Sequence, residues 1–120
     1  MAREQAHLFD IMDSAKSAIK FAGEIDLATL AESRLYRHAI IKELEIMGEA
    51  AKRIPRAWRD SHSEIPWLDI IDYRNSLVHE YDTVDVEEVW RVVTEDLPKM
   101  VMVLEQLIRE FEKEFDKEQK

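Results

Sequence analysis

Apolar residues recur at helical spacing along nearly the whole chain. Between residues 4 and 22, Leu8, Ile11, Met12, Ala15 and Ile19 follow the three- and four-residue steps that line one face of a helix, and the pattern stops near Gly23. A second stretch opens after Asp26, whose carboxylate suits an N-cap, and runs to about Ile54, where Pro55 ends it. On a wheel of about 100° per residue, Arg34, His38, Lys42, Glu45, Glu49 and Lys52 share one narrow polar arc of this stretch. Leu35, Tyr36, Ala39, Ile40, Ile41, Leu44, Ile46, Met47, Ala51 and Ile54 fill most of the rest. A helix apolar over so much of its circumference is expected to be central and packed on more than one side, and in so small a chain it hints at a second subunit.

Pro66 stands where a proline opens a helix. The helix predicted behind it turns Trp67, Leu68, Ile70, Ile71, Leu77 and Val78 inward, and the segment YDTVD closes it. Asp85, with Glu88 three residues on, resembles a capping box for a last helix. That helix passes through Pro98, which is expected to kink it, and ends in the charged tail EFEKEFDKEQK, where Phe111 and Phe115 are candidates to pack. No stretch alternates apolar and polar positions for long enough to be a strand. Without repeats, low-complexity segments or a linker, residues 1–120 read as a single all-α domain, a bundle of four or five helices with a charged end at about 110–120.

One arginine does not fit that scheme. Arg74 projects between Ile70 and Val78, inside the apolar arc, where a permanently charged guanidinium needs a partner because burying a lone charge is costly. Either a carboxylate of the central stretch neutralises it, with Glu43, Glu45 and Glu49 in range, or it faces a cleft that receives a ligand anion. Asn75 and His79, four residues apart, stand one above the other at the edge of the arc. His79 lies roughly 140° around from Arg74, a gap that the long arginine stem can close. A guanidinium, an amide and an imidazole converging on one anion would suit phosphodiester chemistry: a planar fork for phosphate oxygens, a group exchanging protons near neutral pH, and an orienting side chain. An internal ion pair for Arg74 and a capping or surface role for His79 are the structural alternatives, and spacing leaves both open.

Composition narrows the chemistry further. With 17 Lys+Arg against 26 Asp+Glu and a formal net charge of -9, the molecule as a whole repels polyanions. Contact with nucleic acid therefore needs a local basic patch, and Lys52, Arg53, Arg56 and Arg59 in KRIPRAWRD are the candidates. Cysteine is absent, which excludes disulfides, thiolate metal sites and a cysteine nucleophile. There is no H-E-x-x-H pair, and two glycines cannot make a phosphate-binding glycine loop, so neither metal nor cofactor is expected. Gly48, in IMGEAAKR, is expected to permit close helix contact. His7, His38 and His62 read as surface residues. The opening MAREQAHLFD lacks a signal-peptide pattern and no apolar run approaches the ~18 residues that span a bilayer. A cytoplasmic location without membrane contact is expected.

The runs LEIMGEAAKRIP, EIPWLDIIDYRNSLVHEY and VDVEEVWRVVTEDLP, in this order and covering about residues 5–108, resemble the HepT-like family of the HEPN superfamily. Arg74 and His79 match that family's ribonuclease signature of arginine, four residues, histidine, with Asn75 at the polar position after the arginine. The resemblance implies an all-helical bundle that forms a homodimer, so that two copies of the motif line one cleft. It implies metal-independent cleavage of RNA, with the arginine holding the scissile phosphate, the histidine transferring protons and the 2′-hydroxyl attacking to leave a cyclic phosphate and a 5′-hydroxyl. It also implies a partner, a small MNT-type nucleotidyltransferase acting as antitoxin, which attaches AMP to the motif tyrosine, here Tyr81, and blocks the cleft by charge and bulk. Glu80, Asp82 and Thr83 depart from the glycine, aromatic and glycine of many relatives and put carboxylates beside the expected cleft. The alternative from a different class is a noncatalytic helical binding subunit of a nucleotidyltransferase.

Overall fold

The computed structural model describes residues 3–79 and 83–119, with side chains from 4 to 78 and from 83 to 114. Every regular element among them is helical: α1 Arg3–Gly23, α2 Leu27–Glu32, α3 Arg34–Arg53, α4 Arg56–Asp60, α5 Trp67–His79, α6 Val86–Arg91 and α7 Leu97–Gln119, with a π-helical turn at Val92–Asp96 joining the last two. The fold is the expected all-α bundle. α3 is its centre, packed against α1 on one side and α5 on another, while α1 also meets α7 and α2 bridges α3 and α6. The core is formed by Leu8, Ile11 and Ala15 of α1, Ile40, Leu44 and Ala51 of α3, and Leu97, Leu104 and Leu107 of α7.

Local chemistry explains most helix ends. Asp26 caps α2 by accepting from the Thr29 amide at 2.8 Å and the Thr29 hydroxyl at 2.7 Å. Asp85 caps α6 through the Glu88 amide at 3.2 Å. Ile54 is extended before Pro55, as a residue preceding proline must be to clear its ring, and α3 stops there. The stretch that reads as one helix from Asp26 to Ile54 is in fact two. Ser33 is extended, closes α2 through its amide to the Thr29 carbonyl, and opens α3 by accepting from the Tyr36 amide at 3.2 Å. An apolar pattern that continues across both pieces hides this break.

Pro98 does not end the last helix. Proline offers no amide to the carbonyl four residues back and its ring crowds that carbonyl. The chain widens into the π-turn just before it, where the Leu97 amide reaches back five residues to the Val92 carbonyl. Thr94 turns its hydroxyl to the Trp90 carbonyl at 2.7 Å. At the other end of the bundle an aromatic stack ties α4 to α7. Trp58 stacks with His62, with ring centroids 3.7 Å apart, and with Phe111, at 5.6 Å, and His62 in turn lies 6.3 Å from Phe111. The His62 Nδ1–H donates to the Trp58 carbonyl and the Trp67 indole donates to the His62 carbonyl, both at 2.8 Å. Phe111 packs as expected, and His62 is half-buried by its stacking on Trp58; His7 and His38 are also partly exposed. Phe115 lies outside the described side chains. Among the described residues no helix is long and apolar enough to cross a membrane.

Candidate functional site

The site is built where α5 crosses α3. On α5, Trp67, Ile70, Ile71 and Leu77 are buried, but Leu68 and Val78, expected inward, are 69% and 42% exposed, because α5 covers α3 with one flank and leaves the other open. Arg74 belongs to the covering flank. Its stem lies directly over Gly48: a Cβ at that position would sit 2.2 Å from the Arg74 Cβ and 2.6 Å from its Cγ. The close contact expected of Gly48 is therefore real, and it serves one particular side chain.

From that crossing the guanidinium reaches both neighbours. Nη2 pairs with the Glu49 carboxylate at 3.1 Å, and Nη1 donates to the Asn75 side-chain oxygen at 3.1 Å. The Nε–H is buried without a partner. Of the three carboxylates in range by sequence, Glu49 is the one that pairs, since it follows Gly48 and so stands beside the point of crossing. Arg53, one turn on, shares the same carboxylate at 3.6 Å. The Arg74 side chain is still 26% exposed and Glu49 39%. Both open into a cavity of about 300 Å³ that Lys42, Glu45, Ile46 and Arg53 also line. The guanidinium is thus reachable by solvent, with its charge satisfied from within the chain by Glu49.

The structure thus joins Arg74 to Asn75. The helix carries on to His79, whose backbone ends α5; the His79 side chain and all of Tyr81 lie outside the described residues. The KRIPRAWRD cations are divided. Arg53 lines the Arg74 cavity, Arg56 and Arg59 line a separate hollow of about 580 Å³ beside Pro66 and Leu68, and Lys52 is exposed. Arg59 also donates to the Ile54 carbonyl at 3.1 Å, closing the turn between α3 and α4. Lys42 was not among the candidates, although its place on the polar arc with Glu45 and Glu49 was the available signal. On the far flank of α5, a groove of about 770 Å³ is rimmed by Glu64, Asp69, Asp72, Glu88 and Asp96, and Tyr73 faces it. Burial, with Glu88 nearby, pushes the Tyr73 phenol well above its ordinary value, and its hydroxyl has no partner. Among the described residues no group of three histidines, cysteines or carboxylates is placed to hold a metal ion.

Fold and site together define a small helical bundle whose central crossing presents a preset arginine–asparagine pair at the mouth of a cavity of mixed charge. The family model Ribonuclease HepT-like matches residues 11–107, and the chain belongs to that family. Two similar proteins show how far the likeness extends. A protein of Methanocaldococcus jannaschii named "Putative RNase" is 36% identical over 96 residues, which cover 80% of this chain and 88% of the relative. One of Thermococcus cleftensis named "Probable ribonuclease HepT" is 36% identical over 101 residues, covering 84% of this chain and 92% of the relative. No solved structure matches.

Proposed function

We propose that the protein is a metal-independent endoribonuclease that works as a homodimer in the cytoplasm. The observation that carries this reading is the Arg74 guanidinium, held over Gly48 with one edge on Asn75 and the other on an exchangeable carboxylate at an open cavity. In the reaction a scissile phosphate takes the place of Glu49 on the guanidinium, whose fork matches two phosphate oxygens. The neighbouring 2′-hydroxyl gives up its proton and its oxygen attacks phosphorus, the bond to the 5′-oxygen breaks, and that oxygen takes a proton. The products are a 2′,3′-cyclic phosphate and a 5′-hydroxyl, with no water consumed. His79, one turn beyond Asn75, exchanges these protons, and Asn75 orients Arg74.

The apolar positions Leu35 and Ile46 are 76% and 38% exposed on one line of α3, and Ile46 borders the Arg74 cavity. This supports a second copy seated beside the motif, so that two sites share a cleft. An MNT-type nucleotidyltransferase acts as antitoxin by attaching AMP to Tyr81, filling the approach with phosphate charge.

The Arg74–Glu49 ion pair also favours a second reading, a noncatalytic binding subunit of a nucleotidyltransferase in which Arg74 is structural. Cleavage of a defined RNA pool in EDTA separates the two. Wild-type protein, shown by mass spectrometry to be free of AMP, is expected to cut, and Arg74→Ala and His79→Ala variants that keep their circular dichroism spectra are expected to be inactive. A folded His79→Ala protein cutting at the original rate would overturn the enzyme reading.

A further inference from the structure

The polar arc of α3 extends beyond the Arg74 cavity. At its other end a second cavity of about 360 Å³ is lined by Arg34, Arg37 and His38, with Ile41, Val84 and Val86. Among the described residues no carboxylate lines it. Arg37 is committed to the fold, donating to the Leu30 and Ala31 carbonyls at the end of α2. Arg34 instead reaches along the helix, its Nε 3.4 Å from the His38 Nε2. Lys42 comes next at the same four-residue interval and lines the Arg74 cavity. Among the described residues, neither Arg34 nor Lys42 makes an ion pair. Both cations stand in register with that cavity.

The path of the chain makes the register meaningful. α5 crosses α3 at Gly48 through Arg74, and after α5 the chain comes back to α3 at Val84 and Val86, opposite Ile41. The described ends of this passage, Arg74 and Val84, therefore both lie against α3, at Gly48 and beside Ile41. Residues four apart on a helix stand one above another, about 6 Å per step at ~1.5 Å rise per residue. Arg34, His38 and Lys42 form a ladder along α3 from one cavity to the other, not a scattered surface charge.

We propose that Arg34, His38 and Lys42 are a backbone track for single-stranded RNA, gripping phosphates on one side of the scissile one and delivering the strand to Arg74. The inference rests on the ribonuclease reading. It places the affinity for a polyanion on α3, where the described lining of one cavity holds no carboxylate, and Glu45 and Glu49 border the Arg74 end. Contacts of this kind position the strand and carry no sequence preference.

The test uses the full chain with His79→Ala, so that RNA stays intact, and a fluorescein-labelled 20-nucleotide oligo(U) read by anisotropy from 50 to 300 mM KCl. Adding Arg34→Gln and Lys42→Gln together is expected to weaken binding at least about fivefold at 100 mM and to flatten the plot of log K against log salt by about 1.4, since each single-strand phosphate contact contributes about 0.7. Oligo(A) should lose affinity to the same extent. Lys20→Gln on α1, a cation of neither cavity, is expected to leave the slope unchanged. Thermal melts of the double variant verify that the bundle is intact. An unchanged slope in a folded double variant, beside a wild type that cuts RNA, overturns the track and leaves the ribonuclease reading standing. Absence of RNA binding by the His79→Ala parent, with no cleavage by wild type, overturns both.

Discussion

At the scale of single residues the site depends on an atom that is missing. Gly48 has no Cβ, and the space it leaves is filled by the first two carbons of Arg74. Those carbons cannot swing away as a side-chain tip could, so Gly48→Ala must push α5 off α3. We expect a loss of about 2 kcal/mol, the usual cost of overpacking a close contact, and a fall in RNA cleavage larger than the melting shift alone accounts for; denaturant unfolding and a cleavage assay on the same preparation check both. Tyr73 makes a complementary case. Its phenol keeps, when folded, the proton that the unfolded chain releases near its ordinary value of 10.0. The corresponding stability is intact below pH 10 and drains away above it. Tyr73→Phe, which also removes an unpartnered buried hydroxyl, should melt at the same or a higher temperature at pH 8 and lose less than wild type between pH 9.5 and pH 11.

At the scale of elements, the helix ends that could be read from sequence were those set by one local group: Asp26, Pro55, Pro66 and Asp85. Ser33 was missed because the apolar period runs through it while the backbone does not. Ser33→Ala should remove the amide cap of α3 at a cost of about 1 kcal/mol, measurable as a lower urea midpoint with an unchanged slope. The π-turn before Pro98 was equally hidden, since one extra residue in a helical turn leaves almost no trace in an apolar pattern. For the site, the residue types and their spacing around Arg74 were legible, and so was the need for a carboxylate. Which carboxylate was not, because the choice depends on how α3 and α5 are registered, and Gly48 sets that in space. The division of the KRIPRAWRD cations between two cavities has the same origin: the turn at Pro55 points the arginines after it in a new direction.

At the scale of the whole molecule, Leu35 and Ile46 are the apolar side chains that α3, otherwise the centre of the bundle, leaves uncovered. If a second copy covers them, Leu35→Asp with Ile46→Asp should yield a monomer by analytical ultracentrifugation, with a helical spectrum like that of wild type and little cleavage. A double variant that remains dimeric would place the subunit contact elsewhere.

The crossing at Gly48 has one further consequence, for the life of the chain before it is complete. On the ribonuclease reading, Arg74 acquires its aim only once α5 has packed onto α3, so competence to cut RNA follows from that packing and not from synthesis of the motif. On that reading, a copy whose α5 has not yet packed, or has lifted, carries Arg74 without its aim.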